Sequence, residues 1–279
     1  MAERTWEEEF AKHVRRFRHT RGLMRRLPTD PRCKVCASPF RGIGGFLVRP
    51  FGYGPSRKSP NLCDVCVEGG PDGGFETEVG VLFADVRGFT ALAEGRPPAE
   101  VGELMDRFYR VSSKTLFGHD AIVDKLVGDA VVALFWPPIV DGDPRVRMVD
   151  AAEQLLHGVG HGDGGPPWLE LGVGIDFGNA YMGNLGDESV RDWTALGHVV
   201  NTASRLQAAA RGGQIVMSER VYAAVPERFP DADPVELPLK GKAAPVAARV
   251  VDLAGARRAP DEERPSWTDH VEGRVSHDV

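Results

Sequence analysis

Two aspartates of the chain stand where an apolar run meets a turn. Asp85 follows the apolar residues 81–84, and Asp129 follows Gly128 in the middle of the apolar stretch 122–135. Gly-Asp within such a stretch predicts a β-hairpin, because both residue types tolerate the positive φ of tight hairpin turns. If the two strands are neighbours, the carboxylates converge at one end of a sheet, where they suit Mg²⁺ or Mn²⁺ and phosphoryl transfer. Taken singly, each is equally well explained as a turn aspartate.

The four cysteines form two C-x2-C pairs, Cys33 with Cys36 and Cys63 with Cys66. Each short loop presents two thiolates to one ion, so the spacing predicts a tetrahedral structural Zn²⁺ site. Disulfides are the weaker explanation in a chain without an export signal. A redox C-x2-C centre needs only one pair and a surrounding βαβ pattern, which the sequence does not show.

The insert between the cysteine pairs mixes basic and aromatic residues. This composition occurs in zinc modules that bind nucleic acid, and equally in a small core packed around the metal. We favour the small core and expect no specific nucleic-acid partner. The residues concerned are Arg41, Arg49, Arg57, Lys58, Phe40, Phe46, Phe51 and Tyr53.

Further polar residues stand at spacings that allow them to act together. Lys125 lies four residues before Asp129, and Asn201 and Arg205 share one helix face by their i, i+4 spacing. Thr194 and Lys240 lie near glycines that predict turns. Each of these residues has an ordinary explanation as a surface or ion-pair residue.

The composition is that of an ordinary globular chain. Its 279 residues are 42% hydrophobic and 27% charged, and the formal net charge is −6, which argues against general nucleic-acid binding. No apolar run approaches the roughly 20 residues of a membrane-spanning helix, and the N-terminus lacks the apolar core of a signal peptide. We therefore expect a cytoplasmic protein without a transmembrane segment.

Composition shifts divide the chain into five parts. The first is amphipathic and rich in arginine, so it is predicted to be a helix that packs on its own protein or on a dimer mate, with a membrane surface as the alternative. The last is charged and nearly free of apolar residues, and we predict that it is disordered. The parts are an N-terminal helix (1–31), a four-cysteine module (32–70), a linker (71–77), a large domain (78–253) and a tail (254–279).

The large domain alternates predicted strands and helices. A helix begins at Pro98, the hairpin 122–135 follows, and Asp143 is predicted to cap a second helix. The later predictions are strands at 169–176, 180–185, 215–218, 235–239 and 247–253, a turn at 177–179, and helices at 199–210 and 219–225.

The large domain resembles the catalytic domain of class III nucleotidyl cyclases. The resemblance rests on five blocks in order: 83–90 (FADVRGFT), 125–129 (KLVGD), 174–178 with 183–186, 197–206 (GHVVNTASRL) and 239–242 (LKGK). The cysteine-rich leader is also similar to that of actinobacterial-type cyclases. The implied fold is α+β, a ferredoxin-like (palm-type) βαββαβ domain with a small zinc-binding module built on the four cysteines.

The resemblance implies a reaction in which the ribose 3′-hydroxyl attacks the α-phosphorus of a nucleoside triphosphate and pyrophosphate leaves. It also implies that Asp85 and Asp129, with the carbonyl of Val86, hold two Mg²⁺ or Mn²⁺ ions.

The remaining roles follow from the same resemblance. Arg205 would stabilise charge on the phosphates, Asn201 would orient the ribose, and Lys240 would hold the triphosphate. Lys125 and Thr194 occupy the base-reading positions, where they favour adenine over guanine. In the family, Thr at this position is associated with a bicarbonate-sensitive subset.

The family builds its site between two subunits, so the resemblance implies a head-to-tail homodimer that converts ATP to 3′,5′-cyclic AMP and pyrophosphate. Asp85 and Asp129 would come from one chain, and Lys125, Thr194, Asn201, Arg205 and Lys240 from the other. Guanylate cyclase and a catalytically silent cyclase-like regulatory or binding module are the alternatives. A diguanylate-synthesising relative is disfavoured because the GGDEF-type signature is absent.

Overall fold

The computed structural model describes residues 23–24, 26–27, 31–67, 73–186, 191–238 and 245–253. Three sequence predictions lie largely or wholly outside these residues: the amphipathic N-terminal helix, the C-terminal tail and the position of Lys240. Within the described ranges, none of the helices combines the length and apolar character needed to cross a bilayer.

One eight-stranded sheet organises the chain. Seven strands follow the order β2-β3-β1-β4-β6-β8-β7, and β5 pairs with the C-terminal half of β4. All neighbouring pairs are antiparallel except β4 and β6. The strands are β1 (Gly73–Val86), β2 (Ile122–Val127), β3 (Ala130–Phe135), β4 (Leu171–Gly186), β5 (Arg191–Leu196), β6 (Gln214–Ser218), β7 (Asp233–Leu237) and β8 (Val246–Asp252).

Seven α-helices are described with this sheet. The order β1-α4-β2-β3-α5-β4, together with the strand order β2-β3-β1-β4, is the predicted palm-type βαββαβ unit. The helices are α1 (Gly42–Val48), α2 (Asp64–Val67), α3 (Phe89–Glu94), α4 (Pro98–Gly118), α5 (Pro144–Gly158), α6 (His198–Ala209) and α7 (Glu219–Tyr222), and a 3₁₀ turn spans Arg49–Phe51.

The two faces of the sheet are covered by different helices. Gly80 packs against Met148 of α5, whereas Gly174 lies directly beneath α6. Because side chains alternate along a strand and Phe83 is paired with Gly174, the face that carries α6 also carries Asp85. A β-carbon at Gly174 would collide with the α6 backbone, so this glycine permits the close helix–sheet approach.

Several local predictions are confirmed. Gly128 has a φ of 56° in the β2–β3 turn, which is the left-handed conformation expected there. Asp143 caps α5, since its Oδ1 accepts a hydrogen bond of 2.9 Å from the backbone N–H of Arg145.

The turn predicted at 177–179 is wrong. β4 runs unbroken through these residues, and Phe177, Gly178 and Asn179 pair with Gly80, Val79 and Glu78 of β1. Gly178 suggested a turn, but it instead leaves space for the side chain of Arg220. A glycine inside a strand often marks such a close approach.

The predicted linker is also shorter than expected. β1 begins at Gly73, so residues 73–77 are strand rather than linker and pair with β4. The four-cysteine module does not stand apart from the large domain, because Cys33, Cys63 and Leu62 belong to the same buried core as the sheet.

Candidate functional site

Asp85 and Asp129 meet at one end of the sheet, as predicted. Asp85 is paired across the strands with Ala130, and the backbone N–H of Val86 donates to the carbonyl of Asp129 over 3.1 Å. Burial raises the pKa of Asp85, and the adjacent Asp129 carboxylate raises it further against the opposing effect of Arg87. A partly buried carboxylate beside a second one forms a site that a divalent cation would stabilise.

Gln207 is a neighbour of this pair that the sequence reasoning missed. Its Nε2 donates a 2.7 Å hydrogen bond to Asp85 Oδ2, and Arg87 Nη2 lies 3.3 Å from the same oxygen. Arg87 Nη2 also donates to the carbonyl of Gln207 over 3.1 Å. Gln207 is a polar residue on the largely apolar buried stripe of α6, with Ala203 one turn before it. That helical periodicity was the signal available in the sequence.

Lys125 and Thr194 are brought together from strands distant in the chain. Lys125 Nζ donates to Thr194 Oγ1 over 3.2 Å. Thr194 is buried on β5, and its hydroxyl donates to Asp124 Oδ2 over 2.9 Å. Lys125 Nζ also lies 3.2 Å from Asp124 Oδ2 and 3.4 Å from Asp192 Oδ2. The two predicted base-reading residues therefore share one polar cluster.

Asn201 and Arg205 lie on one face of α6, but not on the face that reaches Asp85. Asn201 is exposed and Arg205 half-buried, whereas Ala203 and Gln207 are buried against the sheet. Among the described residues, no hydrogen bond or ion pair joins either side chain to the rest of the chain. A single chain therefore presents both side chains outward.

The four cysteines converge, with every pair of Sγ atoms within 4.8 Å. Cys33 Sγ lies 3.7 Å from Cys66 Sγ, and Cys36 Sγ lies 3.6 Å from Cys63 Sγ. A tetrahedron of Zn–S bonds of about 2.3 Å places sulfurs roughly 3.8 Å apart, so the spacing fits a tetrahedral metal. All four cysteines are free thiols rather than disulfides.

Three of these thiols have shifted pKa values because the cysteines contact one another. Hydrogen bonds from the thiols, first that of Cys36, lower the pKa of Cys33. The pKa values of Cys63 and Cys66 are raised, mainly by their hydrogen bonds to Cys33. Such crowding of thiolates is relieved by a bound cation.

The insert between the cysteine pairs forms only part of the small packed core that was favoured from the sequence. Phe40 and Tyr53 pack against the core, but Phe46 and Phe51 are exposed. Helix α1 buries only Gly44, Gly45 and Val48, and none of the residues of the 3₁₀ turn is buried.

Comparison with known proteins identifies the large domain. Residues 75–247 match the family model of the adenylate and guanylate cyclase catalytic domain. The chain is 31% identical over 149 residues to adenylate cyclase 1 of Rhizobium meliloti, covering 50% of this chain and 22% of that protein. It is 30% identical over 157 residues to an adenylate cyclase of Anabaena cylindrica, covering 53% and 31%. The match thus spans less than a third of either relative.

Solved structures agree with this comparison. The guanylyl cyclase Cya2 superposes with a TM-score of 0.57 at 27% identity, over 64% of this chain and 93% of that one. The adenylyl cyclase CyaB from P. aeruginosa superposes with a TM-score of 0.55 at 28% identity, over 64% and 96%. The family match extends over most of the chain and includes both carboxylates and the Lys125–Thr194 cluster. The chain therefore belongs to the adenylate and guanylate cyclase catalytic domain family.

Proposed function

We propose that the chain is an adenylate cyclase that converts ATP to 3′,5′-cyclic AMP and pyrophosphate. The observation that carries the choice of base is the contact between Lys125 Nζ and Thr194 Oγ1, 3.2 Å apart. Sequence similarity alone does not distinguish ATP from GTP as the substrate, since an adenylyl and a guanylyl cyclase match at 28% and 27% identity.

The two side chains complement adenine. An ammonium group donates to the N1 acceptor of adenine, and a hydroxyl oxygen accepts from its N6 amino group. Thr194 donates its proton to Asp124 and accepts from Lys125, so the second lone pair of its hydroxyl oxygen remains as an acceptor. Guanine presents a donor at N1 and an acceptor at O6, which is the opposite pattern.

Asp85 and Asp129, with the backbone carbonyl of Val86, would hold two Mg²⁺ or Mn²⁺ ions. The fit of the ions to this site rests on the two acidic residues meeting at adjoining strand ends, where burial and the Asp129 carboxylate raise the pKa of Asp85. When bound, the ions would make the ribose 3′-hydroxyl more acidic and neutralise the phosphates. The chain's own contribution is to fix both carboxylates at adjoining strand ends, with Gln207 orienting Asp85.

Arg205, Asn201 and Lys240 would act on the substrate from the partner of a head-to-tail homodimer. Asn201 and Arg205 face outward on α6. Exposed apolar side chains also lie beside the predicted base-reading residues, as expected for a surface that a second subunit covers. These are Leu126, Val127 and Leu196, with exposed fractions of 43%, 58% and 57%.

The four-cysteine cluster would bind one structural Zn²⁺. The Sγ spacings of 3.6 and 3.7 Å support this assignment, as does the absence of an open ligand position in a set of four thiolates. In this proposal the ion holds the module together and takes no part in the reaction.

The test is cyclic nucleotide formation by purified protein, with ATP and GTP assayed in parallel in Mg²⁺ or Mn²⁺. Cyclic AMP from ATP, abolished in Asp129→Ala, is the expected result. Lys125→Glu should lose ATP turnover, because a carboxylate repels the N1 acceptor of adenine. Cyclic GMP from the wild type would overturn the choice of base, and no product from a folded dimer would overturn the proposed activity.

A further inference from the structure

Lys58 of the four-cysteine module reaches the predicted base-reading cluster of the large domain. It lies in the loop 55–63, which is closed at its base by a β-bridge between Pro55 and Cys63. The backbone N–H of Ser56 also donates to the carbonyl of Leu62 over 2.8 Å. Cys63 is one of the four predicted zinc ligands, so an ion bound there would hold the base of this loop.

The backbone of Lys58 fastens the loop to the large domain. Its carbonyl accepts a 2.8 Å hydrogen bond from the N–H of Val123 on β2, the strand at the edge of the sheet. This bond places Lys58 next to Asp124, which directly precedes Lys125.

The side chain of Lys58 touches the immediate neighbours of both base-reading residues. Its Nζ donates to the carbonyl of Trp193 over 3.0 Å and to the carboxylate of Asp192. It lies 3.4 Å from the carbonyl of Asp124 and 3.7 Å from Asp124 Oδ1. Only 22% of the side chain is exposed, so its charge acts in a partly desolvated setting.

Lys58 balances the charges of this cluster. The Asp124 side chain is 6% exposed, and its Oδ2 accepts from both Lys125 and Thr194. Within the described part of the chain, its Oδ1 has no hydrogen-bond partner, and Lys58 is a cation beside it. Lys58 and Lys125 thus face Asp124 and Asp192, two cations against two carboxylates.

This charge balance determines whether Lys125 can donate, and Thr194 can accept, a hydrogen bond with a bound nucleotide. Without Lys58, two carboxylates would compete for Lys125 and draw its ammonium away from the adenine N1. The hydrogen bond from the Thr194 hydroxyl to Asp124 leaves the Thr194 oxygen to act as an acceptor. Without Lys58, the buried negative charge of Asp124 would lose one of its two neighbouring cations, and this hydrogen bond would be weakened.

We propose that Lys58 is a positioning residue for adenine recognition, and that the four-cysteine module thereby controls nucleotide binding in the large domain. The inference rests on the proposed assignment of Lys125 and Thr194 as base-reading residues. It goes beyond that assignment by giving the module a role in substrate recognition.

The experiment compares Lys58→Met with Lys34→Met as the matched control. Lys34 also joins the module to the large domain, through Asp120 at 2.7 Å and Asp141 at 2.8 Å, but it has no contact with the base-reading cluster. We expect Lys58→Met to raise the KM for ATP about tenfold with kcat nearly unchanged, and to lower the preference for ATP over GTP. Lys34→Met should leave KM and the base preference at their wild-type values.

Two further variants distinguish an effect of the Lys58 charge on the base-reading residues from a purely structural contact between the module and the large domain. Lys58→Arg keeps the charge and should retain most of the ATP affinity. The double variant Lys58→Met/Asp192→Asn restores the balance of one cation to one carboxylate, so it should recover ATP affinity relative to Lys58→Met. A purely structural contact would not be restored by removing a second partner.

Equal effects of Lys58→Met and Lys34→Met, or no recovery in the double variant, would overturn the proposal. Equilibrium binding of a fluorescent ATP analogue, with GTP as competitor, is measured on the same proteins. If the wild type makes no cyclic nucleotide, the proposed function fails, but these affinities still decide whether Lys58 acts on base recognition.

Discussion

Gln207 Nε2 lies 2.7 Å from Asp85 Oδ2, and this hydrogen bond ties helix α6 to the carboxylate pair at the end of β1. The same helix carries Asn201 and Arg205 on its outward face. One helix therefore orients a predicted metal ligand of its own chain and carries predicted substrate-binding residues on its outward face. Gly174 permits this arrangement by allowing α6 to lie directly on β4.

Gln207→Leu should weaken metal-dependent activity by about 10- to 100-fold, because it removes the donor that orients Asp85. The measurement is the cyclase rate as a function of Mn²⁺ concentration. Gln214→Leu is the matched control, since Gln214 is also buried but donates to Asp252 of β8 rather than to the carboxylate pair. An unchanged Mn²⁺ dependence in Gln207→Leu would contradict the orienting role.

A shared site predicts complementation between inactive variants. Asp85→Ala and Arg205→Ala should each be inactive alone. When mixed, they should recover about a quarter of wild-type activity, because about half the dimers are mixed and each mixed dimer holds one intact site. Mixing Asp85→Ala with Asp129→Ala is the control, and it should recover nothing because both variants lose the same half-site. If neither mixture recovers cyclase activity, the shared-site arrangement is contradicted.

Asp120 should contribute to the stability with which the four-cysteine module packs on the large domain. Its side chain is 8% exposed, and it receives Lys34 at 2.7 Å and the amide of Asn61 at 3.1 Å. Asp120→Asn keeps the left-handed backbone at this position but removes the charge, so we expect a loss of about 2 kcal/mol in the free energy of unfolding. Asp141→Asn is the control, because Asp141 also pairs with Lys34 but is 83% exposed and should change stability by less than about 0.5 kcal/mol. Urea denaturation measures both.

His161 makes stability depend on pH. It is buried, and its Nε2 accepts from the backbone N–H of Leu171 over 3.3 Å, which requires the neutral ring. Burial lowers its pKa from the usual 6.5, against the opposing charges of Glu170 and Asp252 and together with that of His157. The unfolded chain therefore binds the proton more readily, so the stabilisation is complete above pH 6.5 and is lost as the pH falls towards the folded-state pKa.

The check is urea denaturation of wild type and His161→Gln at about pH 7.5 and about pH 5.5. We expect wild type to lose more stability than His161→Gln over this interval. His119→Gln, which alters a half-buried histidine at the end of α4, should follow wild type. Parallel losses in wild type and His161→Gln would show that His161 does not contribute.

The four-cysteine cluster should hold one zinc ion for each chain, released when a thiol-modifying reagent titrates four cysteines. Cys36→Ser should lose the ion and unfold the module, because structural zinc supplies much of the folding free energy of such small sites. Ser38→Ala is the control, since Ser38 is buried beside the cluster without being a ligand. Metal-free wild-type protein with the same stability would contradict the assignment.

Local pattern was sufficient to predict much of the fold. The hairpin at Gly128, the cap at Asp143 and the alternation of strands and helices follow from turn chemistry and hydrophobic periodicity, which act between residues close in sequence. The palm-type arrangement of these elements was implied by the family resemblance. The same reasoning failed at Phe177-Gly178-Asn179, where the long partner strand β1 overrides the turn preference. It also missed β5 (Arg191–Leu196), whose short sequence becomes a strand by pairing with β4.

Ordered blocks and fixed spacings were enough to predict the family resemblance, the two carboxylates, the proposed base-reading pair and the four thiols. Which other side chains complete these sites depends on how distant parts of the chain pack together. Gln207 is separated from Asp85 by 122 positions, and Lys58 from Asp192 by 134. No local periodicity links residues so far apart. Their contacts exist because α6 packs on the sheet and the four-cysteine module docks on its edge strand, and both depend on burial of one shared core.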